Sequence, residues 1–332
     1  MLMKRKYFRN ALLLTALLFT GVGCQQDGER IALADPTIFV VNGKYYMTGT
    51  SGDDGFTLLE SSNLRHWTYS KADPYILHKG ENTYGERDFW APQIVQLEDR
   101  YLMTYSAQGK MCVAESKDLS GPYKQRENRP ITDCPEMNID TYLFKDEDGK
   151  WYMYHARYIQ QDDMGGNAIF VAEFDMDTQK LKEETLTECL RVSEPWELTL
   201  DGMSHNHKTL EGPTVMKRDS IYYMFYSAND YRSVDYAVGY AVAKSPYGPW
   251  EKQPGPVIHA SEVGENGSGH GDFFIGLDKE PYYVYHVHQN DTTVDPRTVR
   301  IMPLKMSKHR VTGIFHISAK KKGNVIVPKL FK

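Results

Sequence analysis

The stretch Gly-Lys-Tyr-Tyr-Met at residues 43–47 decides the fold, because four close variants of it occur further along the chain. The variants are Asp-Arg-Tyr-Leu-Met at 99–103, Gly-Lys-Trp-Tyr-Met at 149–153, Ser-Ile-Tyr-Tyr-Met at 220–224 and Glu-Pro-Tyr-Tyr-Val at 280–284. Aromatic and apolar residues of this kind favour short β-strands. Their recurrence at intervals of about 50 to 70 residues indicates one structural unit repeated five times.

The residues around each copy predict the rest of the unit. An apolar stretch such as 37–41 precedes the copy, and the turns include Asn42-Gly43 and Asp148-Gly149, which are strong hairpin signals. Another extended stretch follows, as at 111–116 and 236–243, and a turn then leads into an aromatic segment. Each unit therefore has about four strands, and no long helical periodicity interrupts them.

Five such units predict an all-β chain, with residues 30–332 forming a single five-bladed β-propeller. A β-sandwich would account for the strands and turns. It would not account for a five-fold repeat of one unit.

The register of the repeat places chemically active residues at one end of the predicted channel. We take the first aromatic residue of each copy as a reference position and count back ten or eleven residues from it. The residues found there are Asp35, Trp90, Asp140 and Glu211 in units one to four, and the stretch His270-Gly271-Asp272 in unit five. These positions begin the first strand of each blade, and in a propeller that strand lines the axial channel. We therefore expect the five side chains to meet at one mouth of the channel.

Paired carboxylates at such a mouth are typical of glycoside hydrolysis. One carboxyl must be protonated to assist the departing oxygen, and another must be ionised to activate water or attack carbon. The alternative is that Asp35-Pro36 and Glu211-Gly212-Pro213 are only turns at strand entries, since Asp, Gly and Pro favour turns. Acidic residues at matching positions in three separate units favour the site.

Five short motifs, one in each unit, resemble those of glycoside hydrolase family 43. They are Asp35-Pro36, Trp90-Ala91-Pro92, Ile139-Asp140, Glu211-Gly212-Pro213 and Gly269-His270-Gly271. Each motif is weak alone, but their order along nearly the whole chain makes the resemblance specific. Two departures are visible: Thr141 follows Asp140 where many members have Pro, and Asp272 follows the Gly-His-Gly stretch.

The resemblance implies a role for each acidic residue. Asp35 would be the general base that takes a proton from water, and Glu211 the general acid that protonates the departing oxygen. Asp140 would orient Glu211 and raise its pKa. The family inverts the anomeric configuration, so base and acid should be about 6.5–9.5 Å apart, with room for a water.

The resemblance also implies substrate contacts. Trp90 would form a sugar-stacking wall, or be only a channel-lining aromatic. Arg297 would hydrogen-bond the sugar, with Arg300 as the competing candidate. His270 would lie beside the substrate and could help to hold a structural calcium ion in the axial channel, although calcium prefers oxygen ligands. The chemistry itself would require no cofactor.

Two histidines in the loop before Glu211, His205 and His207, could touch substrate, or could simply be solvated.

The N-terminal residues have the pattern of an export signal. Residues 4–9 are basic, residues 11–19 are apolar but too short to cross a membrane, and the small residues 21–23 precede Cys24. This pattern predicts a signal peptide over 1–23 and a bacterial lipoprotein acylated at Cys24, placed in the periplasm or at the outer membrane or cell surface. Ordinary signal cleavage, with Cys24 incidental, is the alternative.

Composition excludes other classes of function. The formal net charge is -5, and basic runs occur only near the two chain ends, so no nucleic-acid partner is expected. The remaining cysteines, Cys112, Cys134 and Cys189, have no metal-binding spacing; we expect three buried free thiols, with a Cys112–Cys134 disulfide as the alternative. We expect a monomer that meets the membrane only through its lipid anchor.

The sequence thus predicts an inverting glycosidase that releases a terminal pentose, first α-L-arabinofuranose, from plant polysaccharide side chains or oligosaccharides. A β-xylosidase is the second choice, and a galactan- or arabinan-active enzyme is a further one. A different class is a non-catalytic glycan-binding surface lipoprotein. A retaining fructan-type enzyme would have its nucleophile in an Asn-Asp-Pro-Asn context, which Asp35 lacks.

Overall fold

The computed structural model describes residues 27–80, 82–161, 164–199 and 207–331. Strands make up about half of them. In chain order the strands are β1 (Glu29–Arg30), β2 (Ala34–Val41), β3 (Lys44–Thr50), β4 (Gly55–Thr57), β5 (Leu59–Ser61), β6 (His66–Tyr69), β7 (Tyr75–His78), β8 (Trp90–Gln96), β9 (Tyr101–Ala107), β10 (Lys110–Ser116), β11 (Asn138–Lys145), β12 (Trp151–Gln161), β13 (Met164–Asp175), β14 (Lys180–Leu181), β15 (Thr187–Leu190), β16 (Leu210–Arg218), β17 (Ile221–Ala228), β18 (Ala237–Ala243), β19 (Glu251–Lys252), β20 (Gly269–Ile275), β21 (Pro281–Val287), β22 (Thr298–Lys308), β23 (Phe315–Ala319) and β24 (Lys329–Leu330). The helical segments are α1 (Ala260–Val263) and three 3₁₀ turns (Glu183–Thr185, Pro195–Glu197 and Lys322–Asn324). The predicted signal peptide 1–23 and Cys24 lie outside the described residues.

The strands form the predicted five-bladed β-propeller. Blade 1 contains β2, β3, β5 and β6; blade 2 contains β8 to β10; blade 3 contains β11 to β15; blade 4 contains β16 to β19; and blade 5 contains β20 to β23. Neighbouring strands within each blade are antiparallel. In blade 2 the outermost strand is reduced to a single bridge between Glu115 and Lys124. Strands β4 and β7 form a separate pair.

The two ends of the described chain meet on blade 1. Strand β24 runs parallel to β6, and β1 pairs with the other edge of β24. Just after β1, a bridge between Ala32 and Thr298 ties the chain to blade 5. These contacts close the ring between the last blade and the first.

The repeat in the sequence is explained by packing. The last residue of each copy is fully buried, and these residues are Met47, Met103, Met153, Met224 and Val284. The buried apolar residues form five clusters, and each cluster joins side chains of two neighbouring blades. Since burial of apolar surface is the main favourable term in folding, one apolar pattern recurs in each of the five blades.

The three cysteines of the described part of the chain are free thiols, so the alternative disulfide is wrong. The expectation that all three are buried is also wrong, since Cys134 and Cys189 are partly exposed. Cys112 is buried in the cluster between blades 1 and 2. Burial raises the pKa of its thiol to about 12. This thiol therefore packs as a small apolar group.

A bulge at the start of the first strand of every blade positions the site. The pairing with the second strand is interrupted there, and one residue at each bulge has a positive φ. These residues are Asp35 (49°), Ala91 (44°), Asp140 (57°), Gly212 (58°) and His270 (36°). A bulge redirects side chains locally. Counting back from the repeated aromatic residue was therefore correct only to within one residue. Asp35 and Asp140 are themselves bulge residues, whereas Trp90 and Glu211 immediately precede a bulge residue.

Candidate active site

The structure brings all six predicted site residues to one cavity of about 300 Å³, where the first strands of the blades begin. Blades 1 to 5 all contribute to its lining, through Asp35, Trp90, Asp140, Glu211, and the pair His270 and Arg297. Residues far apart in the sequence thus form one concave site with several convergent polar groups, as ligand sites usually do.

Asp35 is buried among positive and hydrogen-bonding groups. Its Oδ1 lies 3.4 Å from Nη1 of Arg297 and 3.3 Å from Nδ1 of His270. The hydroxyl of Thr50 donates to Oδ2 at 2.6 Å. Burial alone would raise the pKa of Asp35, but these neighbours, together with His286, lower it well below its usual range. Asp35 is therefore ionised at neutral pH.

The permanent positive charge beside Asp35 belongs to Arg297. Burial lowers the pKa of both His270 and His286, so these rings are neutral at neutral pH. The backbone N–H of Asp35 donates to Nδ1 of His286 at 3.1 Å.

Glu211 is the opposite case. Its pKa is raised to about 7, chiefly by burial, with Asp35 and Asp230 adding repulsion. The hydroxyl of Tyr236 donates to Glu211 Oε1 at 2.7 Å, which acts in the other direction. The balance leaves a substantial protonated fraction of Glu211 at neutral pH, as a general acid requires.

Asp140 lies next to the turn that bears Glu211. The backbone N–H of Gly212 donates to Asp140 Oδ2 at 3.2 Å, and His270 Nδ1 lies 3.9 Å from the same oxygen. Burial, followed by repulsion from Glu211 and Asp35, raises the pKa of Asp140 well above its usual value. Because repulsion between two carboxylates is mutual, the pair titrates as a unit and favours keeping a proton.

Three glycines of the predicted motifs are explained by close approach. A Cβ on Gly212 would lie 2.7 Å from His270 Cδ2, and one on Gly269 would lie 2.3 Å from Cδ1 of Tyr236. A Cβ on Gly271 would lie 1.8 Å from the carbonyl oxygen of Val284. The Glu-Gly-Pro and Gly-His-Gly motifs therefore let the side chains around the acid pack against backbone.

Arg297, and not its competitor Arg300, reaches the cavity. The Arg297 guanidinium lies over the Tyr231 ring at 4.6 Å, and its Nε lies 3.2 Å from Asp295 Oδ1. Arg300 is buried elsewhere and donates from Nε to Glu265 at 2.8 Å. The cation–π contact and the two carboxylates fix the Arg297 group in place.

The other walls of the cavity are aromatic and polar. Trp90 is partly exposed, and Tyr158, on the long hairpin of β12 and β13, also lines the cavity. His207 also lines the cavity, whereas His205 lies outside the described residues. An apolar wall with a few polar groups suits a sugar ring, which has both a flat apolar side and hydroxyls.

The two departures from the family pattern lie in a second cavity, which Asp35 and Asp140 also line. Thr141 and Asp272 line a smaller cavity that continues from the first. Asp272 accepts a hydrogen bond of 2.6 Å from the Thr37 hydroxyl, and burial raises its pKa to about 7. Neither residue lines the larger cavity.

The residues around His270 do not form a calcium cage by themselves. Calcium takes six to eight oxygen ligands, and His270 supplies none. Its Nδ1 faces Asp35, and within the described ranges no three His, Cys, Asp or Glu residues are grouped to hold a metal. A calcium ion near His270 therefore stays a prediction, and no step is assigned to a metal.

Several contact residues of the site were not predicted from the sequence. They are Thr50, Tyr158, Asp230, Tyr231, Tyr236 and His286. The hydroxyl and ring groups among them come from second strands and connecting loops, where no motif marks them. Only the structure shows that they surround the carboxylates.

Comparison with known proteins agrees with this geometry. The profile described as "Glycosyl hydrolases family 43" matches residues 30–310, most of the chain. The chain belongs to glycosyl hydrolases family 43. It is therefore a glycoside hydrolase by family, with the fold and the acidic triad that the resemblance implied in one place.

Relatives within the family carry different names. A crystal structure of endo-1,4-beta-xylanase from Bacteroides thetaiotaomicron is 34% identical, with a TM-score of 0.80, covering 91% of this chain and 98% of that one. Beta-D-galactofuranosidase xynD of Aspergillus niger is 26% identical over 81% of this chain and 78% of the relative. Extracellular endo-alpha-(1->5)-L-arabinanase 2 of Bacillus subtilis is 27% identical over 84% of this chain and 62% of the relative.

Proposed function

We propose that this protein is an inverting exo-glycosidase that releases terminal α-L-arabinofuranose from side chains of plant polysaccharides or from oligosaccharides. The observation that carries the proposal is the opposite direction of two pKa shifts in one cavity. The pKa of Asp35 is held far below its usual range, and that of Glu211 is raised to about 7. Two carboxyls whose pKa values are shifted apart in this way can serve as base and acid at the same pH.

The proposed reaction is a single displacement. Ionised Asp35 takes a proton from a water molecule as the water oxygen bonds to the anomeric carbon. Protonated Glu211 gives its proton to the glycosidic oxygen as the bond from that oxygen to the anomeric carbon breaks. Afterwards Asp35 holds a proton and Glu211 lacks one, and exchange with solvent restores both. Asp140 favours the protonated state of Glu211 before each turnover.

Arg297 and Trp90 are proposed to hold the sugar. Arg297 is fixed by Tyr231 and by carboxylates, so its remaining N–H groups can donate to sugar hydroxyls without first being ordered. Trp90 lines the cavity and is partly exposed, so its aromatic ring is available to a sugar. A cavity of about 300 Å³ is at the lower end of ligand sites, which supports binding of one terminal sugar rather than a long chain.

The second candidate is a β-xylosidase. It is favoured by the 34% identity to a protein named endo-1,4-beta-xylanase. Arabinofuranose is favoured by the names of two other relatives, which refer to galactofuranose and to an L-arabinose polymer. A non-catalytic glycan-binding protein would keep the cavity without needing carboxyls of opposed pKa, so the site supports an enzyme better.

Paired aryl substrates test this proposal. The protein is assayed on 4-nitrophenyl α-L-arabinofuranoside and on the matching β-D-xyloside, beside its Asp35→Asn and Glu211→Gln variants. The matched control is Glu98→Gln, a change of the same kind at an exposed residue in the turn between β8 and β9. Faster turnover of the arabinofuranoside, lost in Asp35→Asn but kept in the control, supports the proposal. Faster xyloside turnover would select the second candidate, and no turnover would favour the binding protein.

We also propose that the protein is an exported, monomeric lipoprotein anchored through Cys24. The support is the basic and apolar pattern of residues 4–19 followed by small residues and Cys24. No helix of the structurally described ranges is long and apolar enough to cross a membrane. Metabolic labelling with a fatty acid, compared between the natural protein and Cys24→Ala, tests the anchor: unlabelled natural protein would contradict it.

A further inference from the structure

The bulges that carry the catalytic candidates are held by a ring of side chains from the second strands. Each bulge takes a backbone N–H out of the regular ladder, and a buried N–H needs another acceptor. In four cases the acceptor is a side chain on the second strand of the preceding blade. Within its own blade, this acceptor residue pairs with the residue immediately before the bulge. The acceptors are Thr50 for Ala91 N–H (3.0 Å), Ser106 for Asp140 N–H (3.0 Å), Ser227 for His270 N–H (2.9 Å) and His286 for Asp35 N–H (3.1 Å).

Each acceptor belongs to one blade and each donor to the next blade around the axis. The fifth equivalent position is Ala156, which pairs with Ile139 but has no side-chain acceptor. In this blade the acceptor is instead the carboxylate of Asp140, whose Oδ2 accepts the backbone N–H of Gly212 at 3.2 Å. The ring is thus completed by one of the carboxylates of the site.

Thr50 differs from the two serines of the ring, Ser106 and Ser227, because its hydroxyl also donates to a carboxylate of the site. Its hydroxyl accepts from Ala91 in blade 2 and donates to Asp35 Oδ2 in blade 1. The donated bond is short, at 2.6 Å, as expected for a hydroxyl on an ionised carboxylate. With its one proton and its acceptor both engaged, the Thr50 hydroxyl has a single orientation.

We propose that Thr50 is a positioning residue that holds the Asp35 carboxylate in one orientation and fixes it relative to blade 2. Its bond to Oδ2 determines which oxygen faces the Arg297 guanidinium, since Oδ1 lies near Arg297 and the imidazoles of His270 and His286. The carboxylate then has a single orientation, in which the same free lone pair faces the attacking water at every turnover. Asp35 must be the base for this role to matter, so the inference rests on the proposed function.

The chain offers a matched control two residues away. Thr48 lies on the same strand and bears the same β-branched side chain as Thr50. It is fully buried, and its hydroxyl has no hydrogen-bond partner. Thr→Val keeps the shape and removes the hydroxyl at either position. A general effect of a buried methyl group on strand β3 would therefore appear in both variants, whereas loss of the bond to Asp35 would appear only at position 50.

The experiment measures kcat, KM and melting temperature for the full-length protein and for Thr50→Val, Thr50→Ser, Thr48→Val and Asp35→Asn. We expect kcat of Thr50→Val to fall about 10- to 100-fold with KM changed less than about two-fold, because Thr50 does not line the substrate cavity. Thr50→Ser, which keeps the hydroxyl, should recover most of kcat, and Thr48→Val should resemble the natural protein.

A second readout separates positioning of the base from positioning of the acid. Loss of acid assistance is milder on aryl glycosides with good leaving groups, but loss of water activation is not. The Thr50→Val defect should therefore be equal on dinitrophenyl and nitrophenyl glycosides. Unchanged kcat in Thr50→Val, or a Thr50→Ser variant as impaired as Thr50→Val, would overturn the inference. If Asp35→Asn itself kept normal turnover, the proposed function would fail instead.

Discussion

The hydrogen bond from Tyr236 to Glu211 makes a prediction about the pH dependence of the enzyme. The hydroxyl donates to Glu211 Oε1 at 2.7 Å in a partly buried position, and this bond stabilises the ionised carboxylate. Tyr236→Phe removes the hydroxyl and keeps the ring, which stacks on His286 with centroids 5.7 Å apart. The substitution should therefore raise the pKa of Glu211 further.

The size of the shift follows from the bond. A hydrogen bond to a charged group contributes about 1.5–3 kcal/mol, and one pKa unit corresponds to about 1.4 kcal/mol. The full bond would thus be worth about one to two units. The protonated carboxyl also keeps part of the contact, so we expect about one unit, from about 7 in the natural protein towards 8.

The sign follows from the role of the group. Glu211 must be protonated to act, so activity falls as pH rises through its pKa, and a higher pKa moves this basic limb to higher pH. The assay is kcat/KM against pH on an oligosaccharide, whose poor leaving group requires the acid. The control is Tyr285→Phe, which removes a buried hydroxyl that has no partner. A basic limb that stays in place, or moves to lower pH, would refute this reading of the contact.

Three further variants test other parts of the account. Glu211→Gln should lower kcat on oligosaccharides by about 10²- to 10⁴-fold while sugar binding, followed by calorimetry, persists; normal turnover would remove Glu211 as the acid. Trp90→Ala should raise KM more than it lowers kcat, because a stacking wall binds the sugar without taking part in proton transfer; an unchanged KM would make Trp90 only a lining residue. Met103→Ala, at a fully buried repeat position, should lower the free energy of unfolding in urea by about 2–5 kcal/mol, and a loss below about 1 kcal/mol would contradict the packing role of the repeat.

The fold was predictable because the same packing requirement applies in each of the five blades. The second strand of each blade needs a buried apolar residue at the same place, where it packs into a cluster between blades, so Met47 and its four equivalents repeat in the sequence. Even the last blade, with Val284 in that position, keeps the pattern. One unit alone would not have separated a propeller from a sandwich.

The main carboxylates were predictable for a similar reason, but their register was not. Asp35 and Glu211 stand near the start of equivalent strands, where sequence counting places them together. Counting cannot show that the chain bulges at Asp35 itself but one residue after Glu211, at Gly212. A local backbone irregularity of this kind depends on hydrogen bonds to a neighbouring blade.

The electrostatic support of the site could not be predicted. Thr50 and Tyr236 each reach a carboxylate from a strand or loop whose sequence has no distinguishing motif. Their residue types also differ from blade to blade: the position of Thr50 in blade 1 is occupied by Ala156 in blade 3 and His286 in blade 5. No repeat pattern marks such residues, because each meets a different local need.

The most direct test of the central claim is the stereochemistry of the first product. Proton NMR is recorded during the first minutes of hydrolysis of an α-L-arabinofuranoside, before the released sugar equilibrates between anomers. A water activated by Asp35 on the face opposite the leaving group, which Glu211 protonates, predicts that the β-anomer appears first. Initial formation of the α-anomer would require a covalent intermediate and would contradict the assignment of Asp35 as a base.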